Sequence, residues 1–491
     1  MTTFSYSTDG ASAVRTGVLV LPVFQGPEPG PGVREVGLAQ AYRDAKLTGK
    51  PGEHLLVTRR DRDRFVADAV LLVGVGPKDA FDVTGLRRAL GRAAGSLPRF
   101  GSAATTFPQA LGARLAAEAA QAAVEGIALG AYRFDRYKTK PNGTGTLSRV
   151  RILGSPRWTA AGVRAAVRRG QIVSEGVNWA RDLVNTPAGD LPPARLAQEA
   201  RTMARRMGLR CKVWGKPELE RGGFGGILGV GAGSVNPPRM IELEYRGAGA
   251  ATPVALTGKG IAFDSGGLSI KDAKGMETMK CDMGGAASIL ATMSVIAQLG
   301  PKLNVIAAIP SAENMPGGSA TKPGDVLHHR GGTTSEVLNT DAEGRLILAD
   351  ALAFLSEKRP SALIDTATLT GACMIALGDR VTGAMGNDPA LIRDVIAAGD
   401  ATGEPIWELP MYPDYRRLID SPVADVKNIG ERYGGAITAA WFLSEFVGET
   451  PWVHLDIAGP AWSEKGNDLG PKGGTGAPVR ALVRYLLDRA S

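Results

Sequence analysis

Apolar residues in this chain fall into short continuous runs, separated by stretches in which apolar positions recur every three or four residues. Val18–Phe24, His54–Thr58 and Val70–Val75 have the length and branched content of strands, whereas Leu86–Leu97 and Ala113–Ala131 carry the helical period. Thr159–Leu183 predicts a long helix that ends near Asn185-Thr186-Pro187, because proline cannot continue it. Beyond it the alternation resumes. Pro253–Thr257 reads as a strand, Gly284–Leu299 as a helix closed by Gly300, and Leu303–Ile309 as a buried strand. Gly344–Lys358 follows as a helix and Ala362–Ala367 as another strand. Alternation of this kind predicts an α/β fold. We expect a smaller N-terminal α/β domain over residues 1–160 and a larger C-terminal α/β domain over 161–491 with a central, mostly parallel sheet. In such sheets ligand groups gather in loops at the carboxyl ends of strands.

Composition narrows the class. With 491 residues the chain exceeds one ordinary core, and 44% hydrophobic with 22% charged residues is the profile of a globular protein rather than a disordered one. The 65 glycines follow no repeating period, so they predict tight turns and close backbone approaches. Cys211, Cys281 and Cys373 are too few and too scattered for a disulfide framework or a CxxC zinc site, which fits a reducing compartment. The start of the chain is polar, unlike a secretory signal, and apolar runs such as Val18–Phe24 are too short to cross a bilayer, so a cytoplasmic protein without a membrane partner is expected. A net charge of +8 permits an acidic partner, but the bases are interleaved with acids, as in Arg59–Arg64, which reads as a solvated surface.

The candidate chemistry lies in three segments: Gly258–Gly267 (GKGIAFDSGG) followed by Lys271, Met279–Gly285 (MKCDMGG), and Asn339–Leu346 (NTDAEGRL). Each has a plain local explanation. Asp264 can form a turn after a strand, Asp282 can complement a helix start, and Thr340 with Glu343 matches a capping box. Together they say more, because each lies where a strand ends or a helix begins. The carboxylates of Asp264, Asp282, Asp341 and Glu343 would neutralise two divalent cations. Oxygen donors suit Mn²⁺ and accept Zn²⁺, while His54, His328, His329 and His454 supply a histidine-based site poorly.

In these segments the chain resembles the leucine aminopeptidases, also called cytosol aminopeptidases. NTDAEGRL matches that family's signature, and ENMPGG at Glu313–Gly318, TATLTGA at Thr366–Ala372 and HLDIAG at His454–Gly459 extend the likeness from about Ala180 to Arg484. The resemblance implies a leucyl aminopeptidase acting on peptides, a homohexamer, with 161–491 as the catalytic domain and 1–160 serving assembly or regulation. It implies two metal ions. Lys259 and Asp282 would bind the tighter one, Asp341 the more exchangeable one, and Asp264 and Glu343 both. Lys271 and Arg345 would be catalytic, with Arg345 holding a bicarbonate ion as general base, and the backbone at Leu369 and Gly371 would line the substrate groove. Lys259 can ligate only as a neutral amine. The sequence departs from the family at His328-His329-Arg330, where a loop or interface role is expected, and at Pro460 in place of a usual threonine.

Other readings have less behind them. Asp264-Ser265-Gly266-Gly267 superficially matches a serine-protease nucleophile segment, but the surroundings are α/β and lack a nearby histidine. GVGAGS at Gly229–Ser234 is not a dinucleotide fingerprint, and GKG at Gly258–Gly260 lacks the rest of a phosphate loop. The alternative from another class is a DNA-binding or regulatory protein as a second function, which the charge permits but no basic motif supports.

Overall fold

The computed structural model describes residues 2–140 and 145–490. The chain divides into two compact units, Met1–Asn178 with Lys465–Lys472, and Trp179–Glu464 with Gly473–Ser491.

In the first unit the strands are β1 (Thr3–Ser7), β2 (Val18–Phe24), β3 (Glu28–Pro29), β4 (His54–Thr58), β5 (Ala69–Gly74), β6 (Ser102–Thr105) and β7 (Arg149–Leu153). They pair in the order β1-β7-β6-β2-β5-β4, parallel except where β4 closes the edge, with β3 folded back antiparallel on β2. Alternate residues of β2 serve two cores. Val18, Val20 and Phe24 pack with the helices Val83–Ala94 and Ala116–Gly130, whereas Leu19, Leu21 and Val23 pack with Tyr42 and Phe65. A strand covered on both faces needs no polar alternation, which is why its sequence is continuously apolar. The first of those helices begins earlier than its apolar period suggests, because the Asp82 carboxylate accepts from Gly85 N at 2.6 Å and caps it.

The second unit contains β8 (Arg210–Trp214), β9 (Arg239–Arg246), β10 (Val254–Gly258), β11 (Gly260–Asp264), β12 (Asn304–Asn314), β13 (Val326–His328), β14 (Thr334–Glu336), β15 (Ala362–Ala367), β16 (Thr382–Gly386), β17 (Ile406–Glu408), β18 (Val426–Lys427) and β19 (Trp452–Asp456). Its main sheet runs β17-β16-β19-β15-β10-β12-β9-β8. The central four strands are parallel, and antiparallel pairs lie towards both edges. Both units are therefore α/β, and the larger has the mostly parallel sheet that the sequence predicts.

Two details position the site. β10 and β11 run beside the long β12 as one strand broken at Lys259, which donates its N–H to Thr366 O at 3.0 Å and accepts from Ala286 N at 2.8 Å. Glycines permit this crossing: a Cβ on Gly258 would strike the Gly285 backbone, and one on Gly285 would strike Thr366 O. β12 also runs on past the expected Ile309 to Asn314, carrying Glu313 and Asn314 beyond the apolar run. The helix Gly284–Leu299 matches its predicted bounds, with Gly300 left-handed at its end. Met279–Leu299 is apolar enough in composition to cross a bilayer, yet 83% of its apolar window is buried inside the protein, as befits a core helix.

Candidate metal centre

The carboxyl ends of the parallel strands bring the predicted residues together. Lys259, at the break between β10 and β11, points its Nζ at Asp282 Oδ2 and Glu343 Oε1, each at 2.8 Å, and donates to Thr368 O at 2.9 Å. Lys271 pairs with Asp264 Oδ2 at 2.8 Å and makes a shorter contact with Asp341. One oxygen each from Asp264, Asp341 and Glu343 can lie within 4.8 Å of one another. Four carboxylates on three separate segments thus converge on two lysines.

The local explanations fare differently. Asp264 does form its turn, with Oδ1 accepting from Gly266 N at 2.9 Å and from Asn314 Nδ2 at 2.8 Å, but Oδ2 remains turned to Lys271. Asp282 sits in a single turn of tighter helix, Met279–Met283, and spends Oδ1 on Thr368 Oγ1 at 2.7 Å rather than on a helix cap. The capping box does not form. Thr340 Oγ1 instead donates to Gly266 O at 2.7 Å and accepts from Ser269 N at 2.8 Å, stapling the Lys271 loop to the Asp341 loop. Glu343 precedes the helix Gly344–Ser356 without a side-chain cap bond.

Burial sets the electrostatics. Desolvation pushes the Asp282 and Glu343 carboxyls above their ordinary range, the crowding of Asp264 adds to it, and the pull of Lys259 does not reverse it. Asp341 moves in the same direction, again chiefly by burial. Desolvation opposes charge on Lys259, but Asp282, Glu343 and Asp264 outweigh it and favour the ammonium; Lys271 behaves likewise beside Asp264 and Asp341. Two lysines thus face four carboxylates, an excess of negative charge in a desolvated place. Asp282 Oδ2 and Glu343 Oε1 are met by the Lys259 ammonium, whereas Glu343 Oε2 is buried without a hydrogen-bond partner. Buried carboxylates crowded together with too little compensating positive charge are costly for a protein and suited to cations, so the donor set fits two divalent ions.

Arg345 lies on the first turn of the next helix. Its Nη1 donates to Asn428 O at 2.8 Å, its Nε has no partner, and burial lowers its pKa to about 10, with Glu343 and Asp456 acting the other way. Leu369 N donates to Asp456 Oδ1 at 3.3 Å and Gly371 opens an exposed short helix, Gly371–Leu377, beside the Thr368 carbonyl that Lys259 holds. His329 lies in the loop between β13 and β14, as expected, but its ring turns inward. It is buried, bonded to Asp350 at 3.2 Å and Ser335 at 2.7 Å, and serves the core. Sequence reasoning gave no role to Asn314, Thr368, Asp456 or Asn428. The first three stand in segments that carry the resemblance, but Asn428 had no local signal at all.

Residues 178–483 match the catalytic domain of the cytosol aminopeptidase family and residues 20–141 its N-terminal domain. A probable cytosol aminopeptidase of Streptomyces coelicolor is 46% identical over 516 aligned positions, covering 99% of this chain and 98% of its own. One from Geobacter sp. (strain M21) is also 46% identical, covering 91% of each. Among solved structures, the bottromycin maturation enzyme BotP in complex with Mn superposes with a TM-score of 0.87 at 36% identity, covering 97% of this chain and 100% of its own. A mutant of tomato leucine aminopeptidase reaches the same TM-score at 31% identity, covering 99% and 97%.

Proposed function

The chain belongs to the cytosol aminopeptidase family, and on that premise we propose that it is a two-metal exopeptidase that hydrolyses the N-terminal peptide bond of peptides, preferring leucine-like N-terminal residues. The observation that carries this reading is the convergence of Asp264, Asp282, Asp341 and Glu343 on Lys259 and Lys271, with Glu343 Oε2 buried without a hydrogen-bond donor.

In this reading Lys259 and Asp282 would hold one ion and Asp341 the other, with Asp264 and Glu343 shared between them. Two divalent cations, Mn²⁺ or Zn²⁺, supply Lewis acidity and lower the pKa of water when bound. Lys259 must surrender its proton to become a ligand, so metal affinity falls as pH falls. Lys271 keeps its proton and faces the reacting carbonyl, where its charge stabilises a developing oxyanion. Arg345 cannot take up a proton at neutral pH; its unpartnered Nε and fixed guanidinium suit it to hold a small anion such as bicarbonate, which would supply a general base. The backbone at Leu369 and Gly371 lines the groove for the peptide. The region around residues 1–160 serves assembly or regulation, and the working form is a cytoplasmic homohexamer, as the family likeness suggests.

Hydrolysis of a panel of amino-acid amides and of N-terminally acetylated peptides tests the reading, alongside metal analysis. Leucine and methionine amides should be cleaved fastest, acetylated peptides not at all, and chelation should abolish the rate until Mn²⁺ is restored. Cleavage of acetylated peptides at comparable rates, or no cleavage with two ions bound, overturns it.

A further inference from the structure

The loop that carries Asp341 is held by one distant side chain. Asn428 is fully buried, directly after β18, where a small sheet in the order β13-β14-β18 ends. β18 is parallel to β14, and Asn428 N donates to Glu336 O at 2.9 Å, which fixes the residue in register with the segment leading into the loop. Its side chain then uses both ends of the amide. Oδ1 accepts from Leu338 N at 2.9 Å and Asn339 N at 3.3 Å, while Nδ2 donates to Asn339 O at 2.7 Å and Ala342 O at 3.3 Å. Its own carbonyl accepts from Arg345 Nη1 at 2.8 Å. One residue thus ties down the backbone on both sides of Asp341 and also the side chain of Arg345.

We propose that Asn428 is a positioning residue that presents Asp341 to the exchangeable ion and aims the Arg345 guanidinium, leaving the Lys259–Asp282 half of the centre to its own supports. This rests on the two-ion reading above. The asymmetry follows from the contacts. Asp282 is held by Thr368 and Lys259 by the Thr368 carbonyl, and Asn428 bonds instead to Leu338, Asn339, Ala342 and Arg345. Asp341 has a local turn, Asp341 N to Asn339 Oδ1 at 2.8 Å, and that turn itself hangs on Asn339, whose N–H and carbonyl both bond Asn428. A shorter side chain leaves buried backbone groups of this loop unpaired, and such groups regain partners by letting the loop move.

The test uses the full-length chain with Mn²⁺ as the probe, in Asn428→Ser and Asn428→Asp variants. Isothermal titration of the metal-stripped protein resolves the two binding steps, and hydrogen exchange reports the loop directly. The expected result is a second-step affinity weakened at least tenfold with the first step within twofold of the parent, and faster exchange confined to residues 336–346. Equal weakening of both steps, or unchanged affinities and exchange in a folded variant, overturns the proposal. If Asn428→Asp fails to fold, the serine variant alone decides between those outcomes. A parent that binds fewer than two ions instead refutes the two-ion reading itself, so the two failures are distinct.

Discussion

Gly344→Ala puts the close approach of helix and lysine to a quantitative test. A methyl group on Gly344 would stand 2.5 Å from Lys259 Cε, 2.6 Å from Cδ and 2.7 Å from Nζ. Carbon atoms settle at about 3.5–4.0 Å, so the lysine tip must retreat by roughly 1 Å. Its contacts with Asp282, Glu343 and Thr368 stand at 2.8, 2.8 and 2.9 Å, and such a retreat carries them beyond the ~3.2 Å reach of a good hydrogen bond or the equivalent metal geometry. A misplacement of about 1 Å in a catalytic group costs on the order of 100-fold in rate, or about 2.7 kcal/mol in the barrier. Stability should change far less. Overpacking costs roughly 1–3 kcal/mol, and alanine recovers up to about 1 kcal/mol as a better helix former at the first turn of Gly344–Ser356. The assay is kcat/KM on leucine amide together with bound metal and the thermal midpoint, with Gly162→Ala as the control because nothing lies within 4 Å of a Cβ there. A Gly344→Ala enzyme within threefold of the parent, with both ions in place, would refute the claim that this glycine exists to admit Lys259.

Glu343→Ala should abolish turnover and lower bound metal, since in the proposed reading the residue would contact both ions; near-normal kcat in a metal analysis showing two ions counts against the shared-ligand assignment. Arg345→Lys should retain full metal content while kcat falls at least tenfold, because a point charge cannot reproduce a guanidinium anchored on Asn428 O, and loss of metal instead would mean the residue supports the ligands. His454, bonded through Nδ1 to Asp365 at 2.6 Å, has its pKa lowered by burial but raised on balance by that carboxylate. A folded value above the unfolded one means the pair's stabilisation is complete below about pH 6.5 and is lost as pH rises through the folded value. Thermal midpoints should therefore fall on going from pH 6 towards pH 9 in the parent and less steeply in His454→Gln; equal slopes would sink this account.

The residues that stand out in the sequence are those whose reason is local. β2 and β15 were legible as runs because strands buried on both faces have no polar alternation to hide them, and both keep their predicted start. The helix Gly284–Leu299 was legible through its length and its closing glycine. β1 was missed because an edge strand of Thr3–Ser7 half exposed to water has no apolar run to announce it. β12 was cut short at Ile309 because its last residues, Ser311, Glu313 and Asn314, are polar. Only a buried site at the strand's end gives polar side chains a reason to be there.

The candidate ligands divide in the same way. Acidic residues set among glycines at strand ends and helix starts, with a likeness to a known family, singled out Lys259, Asp264, Lys271, Asp282, Asp341 and Glu343 from the sequence alone. Composition and order along the chain suffice for that, since they record which groups are present and next to what. They do not record which groups meet. Thr340 looked like a helix cap until the fold offered it Gly266 and Ser269 across 74 and 71 residues of chain. Asn428 bonds the Asp341 loop from 89 and 90 residues away. Contacts of that separation form only when strand order and register bring the segments together, because no local backbone preference encodes them; the tertiary fold alone decided which carboxylates would be buried together.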